Sequence, residues 1–394
     1  MSHLTYLEAM VVGLVQGVTE LFPVSSLGHN VLIPAPIGGS WAQDLNVSKP
    51  ESPYLAFIVG LHVATALGMI AYFWRDWVRI VRGFVTSIAQ RQVETPDQKL
   101  AWMIILATIP VGIAGVALEH LFRVAFSKPI PTATFLAVNG LILLGGERLR
   151  RSRQAVSPPS QASQAQGSQA QASQVAGHAV TVGNAAAAPG LGAAVLGAAA
   201  VGAGQAGITG LRPAAAAAAS AVDSGETARQ AGGRVAAGRA VGGRHASGQR
   251  AVRSEETAAA MAADARLSVM SYVQAVLIGS AQIFALLPGI SRDGIVTVTG
   301  MFRGLTREDA VRYSFLLSAP VILAAGVLKV PDLMGHLGNG IRPQILAGSL
   351  LSGVGAYLSV RFLVRYFRQD RPLTPFGIYC LVAGLGSLLI LVLR

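Results

Sequence analysis

The stretch "QGVTELFPVSSLGH", residues 16–29, decides how this chain is read. Its surroundings are among the most apolar in the sequence. Yet it carries Gln16, Glu20, Ser25, Ser26 and His29, and it is interrupted by Pro23 and Gly28. Gln16 and Glu20 stand four apart, so on a helix they share one face. Whether such polarity is tolerable depends on the solvent of the segment, and composition answers that. The 394 residues are 52% hydrophobic and 13% charged, with a mean hydropathy of +0.52. Soluble domains carry about 25% charged residues.

Working outward, apolar runs at 55–74, 100–118, 131–146, 313–330, 343–360 and 374–393 approach the ~20 residues needed to cross a bilayer. The expected fold class is therefore an all-α polytopic membrane protein. The net charge of +12 does not point to nucleic acid, because the arginines cluster at segment ends, in "FWRDWVRIVRG", "GERLRRSR" and "RFLVRYFRQDR". That is the positive-inside pattern, and it places these three stretches as cytoplasmic loops with access to anionic lipid. The single cysteine, Cys380, has no partner, so neither a disulfide framework nor a CxxC metal site exists. The N-terminus shows no basic n-region or cleavage site and reads as mature protein.

Three regions follow from composition: a first membrane half over 1–150, a low-complexity linker over 151–267, and a second half over 268–394. The linker, with "SQASQAQGSQAQASQ" and long Ala/Gly/Arg tracts, has too few bulky apolar residues to bury a core and reads as disordered and cytoplasmic. Its uncharged stretch "AAAAPGLGAAVLGAAAVGAGQAGITG" is long enough to span, but Ala and Gly gain little in lipid, and Gly and Pro break helices. The second half repeats the opening anomaly in "GSAQIFALLPGISRDG", residues 279–294. Interrupted apolar segments in corresponding places of two halves point to a site between them.

A charged side chain at the bilayer centre costs roughly 2.5–3.5 kcal/mol, so Glu20 needs a partner or a function. Gln16 and Glu20 offer hard oxygen ligands suited to Mg²⁺ or Ca²⁺; the competing reading is a polar pair between packed helices. Ser25 and Ser26 are candidate nucleophiles or phosphate ligands, with N–H groups freed at the break. His29 is a candidate base or acid. Arg292 offers a guanidinium fork for phosphate and Ser291 a hydroxyl. Asp293 either holds that arginine or joins a metal. His62 and Thr65, in "GLHVATALG", read as packing residues, and Glu8 as an interface mark. Thr306 and Asp309 read as a capping box. Together these are parts for handling a phosphate or pyrophosphate inside a membrane cavity.

"QGVTELFPVSSLGH" and "LLPGISRDG" resemble the two signature segments of the bacterial undecaprenyl-diphosphatase family, the bacitracin-resistance proteins, and "YFWRDW" and "RYSFLLSAPVILAAG" fit as well. The resemblance covers about 1–150 and 268–394. It implies an integral membrane enzyme of the bacterial inner membrane that converts undecaprenyl pyrophosphate to the monophosphate carrier lipid. It further implies two inverted-topology repeats with re-entrant helices, about six full transmembrane helices, a divalent cation, and an active site opening to the outer face. Matching positions give Gln16 and Glu20 for metal, Glu20, Ser26, His29 and Arg292 for catalysis, and Ser25, Ser291 and Arg292 for phosphate. The partners expected are the substrate lipid, membrane lipid and a second copy of the chain in a homodimer. Three features depart from the family: Asp293 stands where a small residue is usual, Gln16 is the uncharged choice, and the linker is long. The rivals are a lipid-phosphate transporter without hydrolysis and a type 2 phosphatidic acid phosphatase. The second lacks its required His after Arg292.

Overall fold

A computed structural model describes residues 4–39, 41, 45, 53–126, 128–156, 257–334 and 340–393. Among them there are helices and no strands. The helices are α1 (Tyr6–Thr19), α2 (Ser26–Leu32), α3 (Pro34–Ile37), α4 (Pro53–Tyr72), α5 (Trp74–Gln90), α6 (Pro96–Phe126) and α7 (Pro129–Val156). After the linker come α8 (Thr257–Ser268), α9 (Tyr272–Ser280), a 3-10 turn (Ala281–Leu286), α10 (Arg292–Phe302), α11 (Arg307–Met334), α12 (Arg342–Arg368) and α13 (Thr374–Leu393). Most of the expected linker, 157–256, lies outside the described residues, but both its edges are helical, in α7 and α8.

Five helices are long and apolar enough to span: α6, α7, α11, α12 and α13. The sixth expected run, 55–74, is α4, which ends at Tyr72 and is followed by a second helix and not a loop. Phe57–Tyr72 bends by 88° at Phe73 into α5, and α8 bends by 102° into Tyr272–Leu286; counting each bent pair as one span raises the total to seven. The three arginine-rich stretches are mostly helical: "FWRDWVRIVRG" starts α5, "GERLRRSR" lies near the end of α7, and "RFLVRYFRQDR" ends α12 and enters the turn before α13. Their charges sit on helices because the chain continues its 3.6-residue periodicity past the apolar zone. On α5, Trp74, Val78, Val81, Val85 and Ile88 form an exposed apolar stripe beside Arg75 and Arg82, the pattern of a helix lying in a membrane interface.

Ionic clusters tie this basic end together. Arg79 bonds Asp76, Asp97 and Asp264 at 2.7, 2.9 and 2.5 Å, and Arg312 holds Asp264 at 2.7 Å. Fully buried Arg307 pairs with Glu147 and Asp370, each at 2.6 Å, joining α7, α11 and the α12–α13 turn. Asp309 caps only in part: its N–H donates to Thr306 Oγ1, while its carboxylate takes the Arg266 fork at 2.8 and 2.6 Å. Glu8 is buried and, as the third residue of α1, closes the capping box that Thr5 opens.

The packing that positions the site is α1 along α12 and α4, α13 along α7, and α11 against α4 and α10. The α1–α12 seam depends on small residues. A Cβ on Gly13 would lie 2.3 Å from the Gly348 carbonyl oxygen, and one on Gly17 2.3 Å from that of Ser352. Gly13 and Gly17 are one turn apart, as are Gly348 and Ser352, so two small-residue rows let the backbones touch. Gly17→Val pushes α1 off α12 against rigid backbone, and overpacking of this kind costs about 1–3 kcal/mol or more. We expect a lower melting temperature in detergent. Unchanged melting would show that the seam yields freely. Thr65 is a packing residue, as expected, bonded to Ser352 Oγ at 2.9 Å.

Candidate active site

The two interrupted segments meet. α1 ends at Thr19, a turn covers 20–24, and α2 restarts at Ser26. In the other half the 3-10 turn runs into Pro288–Gly289 before α10. Gly289 has a φ of +110°, and a Cβ there would stand 2.5 Å from the Thr132 carbonyl oxygen, so only glycine fits. A Cβ on Gly28 would reach Gly289 Cα at 3.2 Å, which measures how closely the breaks approach.

The buried carboxylate of Glu20 is the hub. It accepts from Gln16 Nε2 at 2.9 Å and from the Ser26 hydroxyl, and it pairs with the Arg292 guanidinium from the other half. His62 Nε2 stands 3.4 Å from its Oε2. Gln16 is fixed in turn, its Oε1 accepting from Asn30 Nδ2 at 2.6 Å. The structure thus brings Gln16, Glu20, Ser26 and Arg292 together. It also adds His62, which from sequence reads as a packing residue.

Ser25 and Ser291 are placed differently from Ser26. Ser25 caps α2, its Oγ accepting from Gly28 N at 3.3 Å and from Gly289 N, across the halves, at 3.2 Å. It does so with φ +67°, a strained value for serine. Ser291 caps α10, its Oγ accepting from Gly294 N at 3.2 Å. Both hydroxyls hold helix starts, and the loop N–H groups expected to be free are in part taken by them. Asp293 neither holds Arg292 nor joins Glu20. It accepts from Ser314 and Ser318 hydroxyls at 2.5 and 2.7 Å, which fastens α10 to α11.

His29 is held at both nitrogens. Nδ1 lies 2.7 Å from the Ser25 carbonyl oxygen, and Nε2 lies 2.7 Å from the Tyr379 hydroxyl on α13. A carbonyl only accepts, so the neutral ring carries its proton on Nδ1 and offers a lone pair at Nε2. Ser26 bonds Glu20, not His29.

Asn139, on α7, braces the two segments. Its Nδ2 donates to the Pro23 carbonyl at 3.0 Å and its Oδ1 accepts from Ser291 N at 3.0 Å. One buried amide therefore sets the distance between the Glu20 turn and the Arg292 helix.

The Glu20 carboxylate and the Ser26 hydroxyl are hard oxygen donors that suit Mg²⁺ or Ca²⁺. The Gln16 amide oxygen is a third of that kind, but it is turned to Asn30 while its Nε2 faces Glu20. Among the described residues no three His, Cys, Asp or Glu side chains could hold a metal by themselves.

The profile of the family described as "Bacitracin resistance protein BacA" matches residues 9–206 and 208–386. The chain belongs to the BacA family. A protein of Mycolicibacterium paratuberculosis named undecaprenyl-diphosphatase is 47% identical over 393 residues, covering 100% of this chain and 99% of its own. Undecaprenyl-diphosphatase 1 of Frankia casuarinae is 46% identical, over 98% of this chain and 97% of its own. At greater distance, undecaprenyl-diphosphatase 2 of Chromobacterium violaceum is 30% identical, over 97% and 98%. In this BacA-family chain His62, Asn139 and Tyr379 also touch the site residues, and the sequence pattern marks neither His62 nor Tyr379 for it. Asn139 alone carries a signal, as an amide inside the apolar run 131–146.

Proposed function

We propose that the chain hydrolyses undecaprenyl pyrophosphate to undecaprenyl phosphate and inorganic phosphate, returning the carrier lipid to cell-wall synthesis and conferring bacitracin resistance. The observation that carries this is the Glu20–Arg292 pair, an acid and a guanidinium from opposite halves, with the Ser26 hydroxyl on the acid and His29 one turn further along α2. The names of the full-length relatives support the substrate. Arg292 leaves Glu20 to bind oxygens of the terminal phosphoryl group. Glu20, with Gln16 once its amide oxygen turned from Asn30, would hold a divalent cation, which would neutralise pyrophosphate charge. His29 acts as the general base, its Nε2 taking up the proton that the attacking water gives up. The P–O bond to the bridging oxygen breaks, and undecaprenyl phosphate leaves. The C55 tail lies along exposed apolar helix faces such as those of α12 and α13. The two halves act as inverted repeats with re-entrant breaks, in the bacterial inner membrane, with the site opening opposite the arginine-rich side.

Water is the preferred nucleophile because the Ser26 hydroxyl already donates to Glu20. Ser26→Ala then removes one hydrogen bond to a charged group, worth about 1.5–3 kcal/mol. We expect phosphate release to fall by about ten- to a hundredfold and remain measurable above a Glu20→Ala blank. Loss to that blank in a folded protein would make Ser26 the nucleophile. The function itself is tested by phosphate release in detergent with and without Mg²⁺ or Ca²⁺. A well-folded protein that releases none would be a lipid-phosphate transporter instead.

A further inference from the structure

We infer that Tyr379 is a proton relay between His29 and the nucleophile. The inference rests on the diphosphatase function proposed above. With the Nδ1 proton donated to Ser25, the Nε2 lone pair of His29 has room for one donor, and the Tyr379 hydroxyl fills that place at 2.7 Å. Water therefore does not reach Nε2 directly while Tyr379 stands there. The phenolic oxygen keeps lone pairs that can accept a hydrogen bond from water while its own proton points at Nε2. The two rings lie within 3° of parallel with centroids 5.7 Å apart, so hydroxyl and imidazole are held in fixed register. Tyr379 is 47% exposed, so part of its phenol is left uncovered by protein, whereas His29 is 8% exposed.

Water gives a proton to the Tyr379 oxygen as Tyr379 gives its own to Nε2. Tyrosine ends unchanged, His29 becomes imidazolium, and the hydroxide formed attacks the terminal phosphorus. The P–O bond to the bridging oxygen breaks, and undecaprenyl phosphate leaves with that oxygen and the bonding pair. The imidazolium then returns its proton by the same path to the phosphate released. No oxidant, reductant or further reactant is needed.

Tyr379→Phe keeps the ring and removes one oxygen. General acid–base groups contribute about 10²–10⁴-fold, and a relay that water can partly replace falls at or below the lower end. We expect kcat to drop about ten- to a hundredfold with KM within about twofold, and melting temperature unchanged. A residue that works through another has no effect once that other is gone. So Tyr379→Phe should cost nothing further in a His29→Ala background, where a structural role would cost the same in both. Where that background is too slow to read, rates in H₂O–D₂O mixtures decide. The wild type should give a bowed dependence from two protons in flight, and Tyr379→Phe a linear one. Unchanged kcat in Tyr379→Phe, an equal loss in both backgrounds, a raised KM alone, or a linear wild-type dependence each overturns the relay. Absence of phosphate release by the wild type overturns the diphosphatase function itself, and the relay with it.

Discussion

Glu20→Gln is expected to lower phosphate release by about 10³-fold or more, equivalent to about 4 kcal/mol of lost transition-state stabilisation. Glutamine keeps the shape and removes the charge. Arg292 is then a guanidinium facing a neutral amide, and His62 loses the oxygen it stands 3.4 Å from. Removing one partner of a buried ion pair costs about 3–5 kcal/mol, so melting temperature falls as well as rate. The two effects separate in the double variant Glu20→Gln/Arg292→Met. Removing both charges should recover much of the melting temperature and none of the activity. Full activity in folded Glu20→Gln would end the case for an acid at the centre of this site.

Arg292→Ala is the second large effect, expected at about 10³-fold, the lower range for arginines that neutralise a transferring phosphoryl group. Arg292→Lys should recover only a small part. Lysine keeps the charge but loses the planar fork that binds two phosphoryl oxygens at once. The measurement is kcat and KM for both variants. A variant that raises KM and leaves kcat intact would show that Arg292 holds substrate without favouring the transition state.

Much of this site is legible in the sequence because polarity inside an apolar stretch is conspicuous. Glu20, Gln16, Ser26 and Arg292 each stand out on that ground, and all converge on one carboxylate. Asn139 and Tyr379 do not stand out in the same way. Each is one polar residue on a long apolar helix, and its partners lie 116, 152 and 350 positions away. Local periodicity holds no information about such contacts. His62 reads as a packing residue because a lone histidine on an apolar helix usually is one. Only the fold turns it toward Glu20. The spans are legible from length and apolarity, except at Phe73. There the charges of "WRDW" do follow the end of α4, but the chain turns by 88° into a second, amphipathic helix and not into a loop. Ser25 and Ser291 suggest phosphate binding by residue type. That chemistry is equally suited to capping, and the backbone N–H groups nearest them take it.

The pair Glu20–Arg292 spans 272 positions. At about 5–20 residues per second, the ribosome delivers the arginine roughly 15–50 s after the acid. For that interval a nascent chain must keep a carboxylate within an apolar segment using only what its own half supplies: Gln16, Ser26 and then His62. Those three are the hydrogen-bonding partners the first half can offer the acid before the later half supplies its guanidinium. A truncated product of the first half would insert and still be inert.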